Sequence, residues 1–147
     1  SANKNSIKII GDHTNLFVQA FFRYESKKSG GYSISNLRFG KTQIKSEYQV
    51  QFADFIQCSQ PTYLTKYDIT KDLKPNGCFL INTVAKTAQE LESILPVKAM
   101  QDIANKNVQL YVIDATKIAG EIGLKNKTST ILQSAFFKIT NIILQIV

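Results

Sequence analysis

The run Cys78-Phe79-Leu80-Ile81-Asn82-Thr83 (CFLINT) follows a turn of Lys74, Pro75, Asn76 and Gly77 and is apolar at successive positions. A strand with one wet face alternates apolar and polar residues, whereas a short unbroken apolar run reads as a strand covered on both faces. Strands of that kind belong to parallel sheets flanked by helices. The neighbouring segments fit this reading. Phe55–Cys58 forms a short strand that ends near Pro61, and Val108–Asp114 (VQLYVID) forms another. Between them lie helical pieces: Tyr63, Leu64 and Tyr67, then Ala88–Ile94, then Val97–Lys106 behind Pro96, with Val97, Met100, Ile103 and Ala104 facing inward.

Further out, the residues Ala115 to Gly123 (ATKIAGEIG) read as a helix stopped near Gly123, and the polar stretch LKNKTST follows. A terminal helix keeps Ile131, Leu132, Ala135, Phe136, Ile139, Ile143 and Ile146 at helical spacing. Toward the N-terminus, Ser6–Ile10 is a short apolar run before Gly11 and is predicted to be a core strand. Asp12 is predicted to cap a helix with Leu16, Phe17, Ala20, Phe21 and Tyr24 on one stripe, although Val18 and Phe22 fall on the other side. Tyr32–Phe39 reads as a strand whose apolar parity changes between Ser35 and Asn36, which requires either cover on both faces or a bulge that re-aims Arg38. Five strands mostly separated by helices predict an α/β chain, a three-layer α/β/α sandwich with a mostly parallel sheet of about five strands, in a single domain over residues 1–147.

Composition narrows the function classes. With 44% hydrophobic and 20% charged residues the chain can build a core. The longest apolar run, near Ile142–Leu144, is too short to cross a bilayer, and a soluble, cytoplasmic protein without a membrane role is expected. Cys58 and Cys78 belong to no CxxC pair and only one histidine, His13, is present. Two buried free thiols are therefore expected, with no metal or cluster held by this chain alone. The net charge of +7 and pI near 9.4 suit an anionic partner. No basic helix, aromatic–basic RNA signature or zinc-finger spacing accompanies that charge, so nucleic acid is not the expected partner.

The positive charge concentrates in Ser26–Gly40 (SKKSGGYSISNLRFG), where Lys27, Lys28 and Arg38 accompany the glycine pair Gly30-Gly31. A solvated turn explains a lysine pair by itself. Glycines, however, let backbone N–H groups approach an oxyanion, and a guanidinium binds phosphate in bidentate fashion. A phosphate-bearing ligand or an acidic protein surface follows. Gly11-Asp12 could also seat a phosphate at a helix N-terminus, a weak signal because neither GxGxxG nor GxxxxGK[ST] is present. No GxSxG elbow supports a hydrolase drawn from Ser26 or Ser29 with His13 and Asp12 or Asp114. The thiamine motif Gly-Asp-Gly fails at His13.

KIIGDHT (Lys8–Thr14), SKKSGG (Ser26–Gly31), SNLRFG (Ser35–Gly40), IANKN (Ile103–Asn107) and the stretch from Ile113 to Ile139 together resemble the gamma, or third, domain of pyruvate:ferredoxin (flavodoxin) oxidoreductase. Ala2-Asn3-Lys4 is similar to the tail of the longer family motif Gly-Thr-Val-Gly-Ala-Asn-Lys. The resemblance implies a piece of a multidomain, homodimeric enzyme that converts pyruvate and coenzyme A to acetyl-CoA and CO2. In that enzyme thiamine diphosphate, Mg2+ and 4Fe–4S clusters carry the chemistry, and electrons pass to ferredoxin or flavodoxin. This domain is then expected to be noncatalytic, packing against the other domains and contacting coenzyme A. The resemblance implies Lys4, Lys27, Lys28, Arg38, Asn126 and Lys127 as the contacts. The family often has Gly-Gly-Arg or Gly-Asn-Arg where this chain has Lys125-Asn126-Lys127, which keeps the charge and loses the planar fork. A structural spacer whose basic patch pairs with acidic surfaces is the alternative.

Overall fold

The computed structural model describes residues 2–25, 32–45, 52–125 and 127–141. Two units emerge, Ser1–Val50 with Ser129–Val147, and Gln51–Thr128.

The second unit is organised by the CFLINT run. Strand β4 (Leu73–Asn82) lies between β3 (Ala53–Cys58) and β5 (Gln109–Ile113), parallel to both. Phe79, Leu80 and Ile81 are each at most 1% exposed, as expected for a strand covered on both faces. Helices α2 (Thr62–Lys66), α3 (Ala88–Ile94) and α4 (Val97–Asn105) supply one side of this cover. Phe79 and Ile81 pack there with Cys58, Leu64, Leu73, Leu95 and Ala99. On α4 the buried positions are Ala99 with the half-buried Met100 and Ile103. Val97 is 65% exposed and Ala104 is also exposed, so the inward stripe expected of them is rotated toward Ala99.

Local chemistry sets the ends of these helices. Thr87 and Glu90 form a reciprocal capping box on α3. Asp114 accepts from the Lys117 N–H at 3.0 Å and starts α5 (Ala115–Glu121). Gly123, at φ 79°, ends it, with Leu124 N donating to Ala119 O and Gly123 N to Gly120 O in a Schellman motif.

The expected turn at Lys74–Gly77 sits inside β4 as an irregularity. Ala53 pairs with Leu73 and Phe55 with Cys78, so β4 holds the extra residues, and Asn76 takes φ 62°. A Cβ on Gly77 would stand 2.9 Å from the Lys74 carbonyl oxygen and 3.1 Å from that of Asp54. Neither backbone oxygen can move cheaply. Of the two thiols, Cys58 is buried as expected and donates to Gln60 O at 3.1 Å, whereas Cys78, beside the exposed Gln109, is only half-buried.

The first unit departs from the expected pattern. Ser6–Ile10 is not a strand: it lies in helix α1 (Ala2–His13). Its β-branched isoleucines favour a strand, but burial recurs at Ser6 and Ile10, one helical turn apart, while Lys8 is exposed. Asp12 therefore closes a helix instead of opening one. The Gly11-Asp12 phosphate cradle has no helix N-terminus to use. Thr14 Oγ1 donates to Ile10 O at 2.5 Å at the end of α1.

The predicted helix after Asp12 is instead β1 (Phe17–Glu25), antiparallel to β2 (Tyr32–Gly40). A segment with aromatic and β-branched residues on every side suits a strand better than a helix. The register runs without a break from Phe17 opposite Gly40 to Glu25 opposite Tyr32, which removes the bulge expected near Arg38. Asn36–Gly40 are all half-buried, whereas Ile34 and Ser35 are exposed, so the parity change coincides with partial cover of the strand's second half. The α/β class and the parallel sheet stand, but that sheet has three strands, and β1 and β2 form a separate pair. Helix α1 packs on this pair. Helix α6 (Thr128–Thr140) joins it through Gln133 Nε2, which donates to Ser6 Oγ at 3.1 Å, and through an edge contact of Phe136 with Phe39 at 6.4 Å. The terminal stretch 142–147 lies outside the described residues. No helix among the described residues is long and apolar enough to cross a membrane.

Gly77→Ala is expected to lower unfolding stability by about 1–3 kcal/mol, because the new methyl meets two backbone oxygens. Urea denaturation checks this, and a change below about 0.5 kcal/mol, within the range of an ordinary surface substitution, would contradict the geometry.

Candidate functional site

The antiparallel pairing of β1 and β2 determines where the basic candidates stand. Residues 26–31 join the two strands and lie outside the described residues, so Lys27 and Lys28 are placed only by this link between Glu25 and Tyr32. Arg38 is on β2, opposite Gln19 and six positions beyond Tyr32. At about 3.3 Å per residue this is roughly 20 Å along the strand. Sequence proximity overstated how near the arginine lies to the start of the lysine–glycine segment. Arg38 is half-buried and has the opposite parity to Phe39, which packs on α6.

The other candidates are dispersed. Lys4 is in the first turn of α1. Asn126 lies outside the described residues, and Lys127 is exposed just before α6, its N–H donating to Leu124 O at 3.0 Å. Lys125, between Gly123 and these residues, takes φ 50°.

Several acid–base groups of the second unit hold partners within the fold. Lys98 reaches Asp68 at 2.8 Å and Asp102 at 3.0 Å, beside a groove of about 230 Å³ lined in part by Leu64, Tyr67, Pro96 and Ala99. The Lys98 ammonium is thus engaged by two carboxylates, and Lys66 also lines the groove. Lys98 is held protonated above its usual range, chiefly by Asp68 and then by Asp102. The Thr70 hydroxyl donates to Asp102 at 2.7 Å and, with Lys98, holds that carboxyl below its ordinary range. Glu90 is likewise lowered by the N–H groups of Lys86 and Thr87. Burial raises both thiols, Cys58 and Cys78, away from thiolate chemistry.

Sequence reading missed two polar groups. Asn82, at the carboxyl end of β4, donates to Ser59 O at 3.1 Å and accepts from Ala115 N at 2.9 Å, tying the segments that follow β3 and β5. Ligands of open parallel sheets often enter at this edge, where the strand order reverses. Here β3, β4 and β5 are adjacent in sequence order, and Asn82 closes the gap. The second group is the IANKN stretch. Lys106 Nζ donates to Thr70 O at 3.1 Å and Lys71 O at 2.9 Å. Asn107, at φ 50°, donates to Asn76 Oδ1 at 3.1 Å. Asparagine tolerates left-handed backbone, and that is the signal that would have marked Asn76 and Asn107 as a structural pair.

Comparison with known proteins gives a consistent result. The family model described as pyruvate ferredoxin/flavodoxin oxidoreductase matches residues 1–146. The pyruvate:ferredoxin oxidoreductase of Moorella thermoacetica is 51% identical over 97% of this chain and 12% of its own length. The pyruvate-flavodoxin oxidoreductase of Klebsiella pneumoniae is 49% identical over 97% of this chain and 12% of its own. Among solved structures, the pyruvate oxidoreductase subunit PORC of Thermotoga maritima shares the fold, with a TM-score of 0.71 and 22% identity over 97% of this chain and 69% of that one. The chain thus spans about an eighth of the length of the curated relatives it matches.

The depressed Asp102 carboxyl has a definite pH consequence. Its contribution to stability is complete above the ordinary value of 3.8 and is lost as pH falls through the lower folded value. Asp102→Asn is expected to reduce the acid loss of stability below the ordinary carboxylate range, measured by urea denaturation at each pH. An acid limb identical to that of the unsubstituted chain would contradict the assignment.

Proposed function

The chain belongs to the pyruvate ferredoxin/flavodoxin oxidoreductase family, and from that membership we propose that it is one recognition domain of a longer pyruvate oxidoreductase. The observation that carries the proposal is the pairing of 51% identity along nearly the whole chain with coverage of only 12% of the relative. The parent enzyme oxidatively decarboxylates pyruvate, passes the acetyl group to coenzyme A and delivers electrons to ferredoxin or flavodoxin. Thiamine diphosphate, Mg2+ and the iron–sulfur clusters act from other domains, against which this one packs.

This chain contributes to the binding of coenzyme A, whose pyrophosphate and ribose phosphate are the anions that the lysine–glycine segment suits. Lys27 and Lys28 supply ammonium donors, and the N–H groups about Gly30-Gly31 supply further donors to phosphate oxygen. Arg38 stands about 20 Å along β2 from Tyr32, so it serves a separate point of contact, on the ligand or on a neighbouring domain. Lys4 is assigned as a further basic contact in the first unit, and Asn126 and Lys127 as an independent one in the second. No acid–base step is assigned to this chain. Lys98, Asp102, Lys106 and Glu90 already hold backbone and side-chain partners within the fold.

The test is kinetic and uses the intact enzyme. Replacing Lys27 and Lys28 together by alanine is expected to raise KM for coenzyme A about tenfold or more, the equivalent of one lost charge-assisted hydrogen bond, while KM for pyruvate stays unchanged. An unchanged KM for coenzyme A would remove the ligand role and leave the domain as a structural spacer.

A further inference from the structure

The three-stranded sheet ends in two edges of different character. At β3 the Asp54 side chain is 86% exposed and paired with Lys74 at 3.3 Å, and the register with β4 breaks between Ala53 and Phe55. Charge and irregularity of this kind keep an edge from recruiting another strand. The opposite edge, β5, has neither. Its sequence, Gln109-Leu110-Tyr111-Val112-Ile113, contains no charge and no proline, and its register with β4 is continuous from Cys78–Gln109 to Asn82–Ile113.

The direction of its free groups can be read from one bond. Ile113 O accepts from Thr83 N at 2.9 Å, so Ile113 directs its backbone toward the β4 side. Successive residues alternate along a strand, which turns Gln109 and Tyr111 the same way and turns the N–H and C=O groups of Leu110 and Val112 outward. Among the described residues β5 pairs with β4 alone. Tyr111 and Val112, which point to opposite faces of the sheet, are 38% and 40% exposed. A helix laid on one face would cover one of them. A strand added along the edge pairs the outward groups of Leu110 and Val112 and flanks both side chains.

We propose that an extended segment of the same long polypeptide, from outside residues 1–147, adds to β5 as a further strand. This rests on the reading of the chain as one domain of a longer enzyme. The covalent context favours that occupant over a second copy. Relatives carry about seven-eighths of their length beyond the matched stretch, and a segment tethered in the same polypeptide binds as an intramolecular partner. Main-chain pairing needs no charge complementarity, in keeping with the uncharged edge.

The experiment uses the intact natural protein. Its mass is read first: a polypeptide of about 16.5 kDa would remove both the domain reading and the donor strand. For a longer polypeptide, amide exchange resolved to single residues is expected to be at least a hundredfold slower at Leu110 and Val112 than in an unstructured peptide. Unprotected amides at these two positions beside protected ones at Tyr111 and Ile113 would mean an open edge and overturn the proposal, with the domain reading intact. Installing the photo-crosslinker p-benzoylphenylalanine in place of Tyr111 identifies the occupant. A crosslink within the same polypeptide to a peptide outside residues 1–147 supports the proposal. A crosslink to a second copy or to residues of this chain overturns it.

Discussion

The double pairing of β4 is the constraint on which the second unit depends. Its central residues, Phe79–Ile81, are removed from water on both faces and must satisfy their backbone groups through β3 and β5. Each end is then adjusted to the neighbouring chain. At the start, Asn76 and Gly77 absorb the extra residues that bring β4 into register with β3. At the finish, the Asn82 amide joins the segments that leave β3 and β5. A half-buried amide with donor and acceptor both used is favourable, whereas either half left alone would carry part of a desolvation cost.

The same logic explains why conspicuous chemistry in this unit is structural. Lys106 and Asn107, polar and adjacent in the IANKN stretch, both serve the fold. In the fold the lysine satisfies carbonyls of the 3₁₀ turn Thr70–Asp72, and the asparagine fastens the left-handed corner at Asn76. Asp102 joins Thr70 on one side and Lys98 on the other, so α4 is fastened to the segment preceding β4 by charge and hydrogen bonding as well as by Ala99, Met100 and Ile103. Groups engaged in this way are poor candidates for proton transfer to a substrate.

Legibility followed physical distinctness. CFLINT, the Ala88–Ile94 helix and the Gly123 stop were readable, since two-sided burial, a Thr-x-x-Glu capping box and a left-handed glycine each leave a local signature. In the first unit the Tyr32–Phe39 strand and the terminal helix were readable, but the two segments before them were read with helix and strand exchanged. Ile7, Ile9 and Ile10 carry strand propensity but occupy α1, where the Ser6–Gln133 hydrogen bond and the burial of Ile10 decide the outcome. Phe17–Glu25 carries helical spacing along with a second apolar stripe, and the second stripe was the better guide. The candidate residues stand out in the sequence by charge and glycine content, but their spacing does not, because antiparallel pairing separates Arg38 from Tyr32 along β2, a distance that sequence proximity conceals.

Several acid–base groups of the second unit are held within its own architecture, and recognition is the role proposed for the lysine–glycine segment. The most direct measurement is a structure of the intact enzyme with coenzyme A bound. The account predicts a phosphate oxygen of the ligand within about 3.2 Å of the Lys27 or Lys28 ammonium. Well-ordered coenzyme A with no contact to residues 26–31 would contradict it.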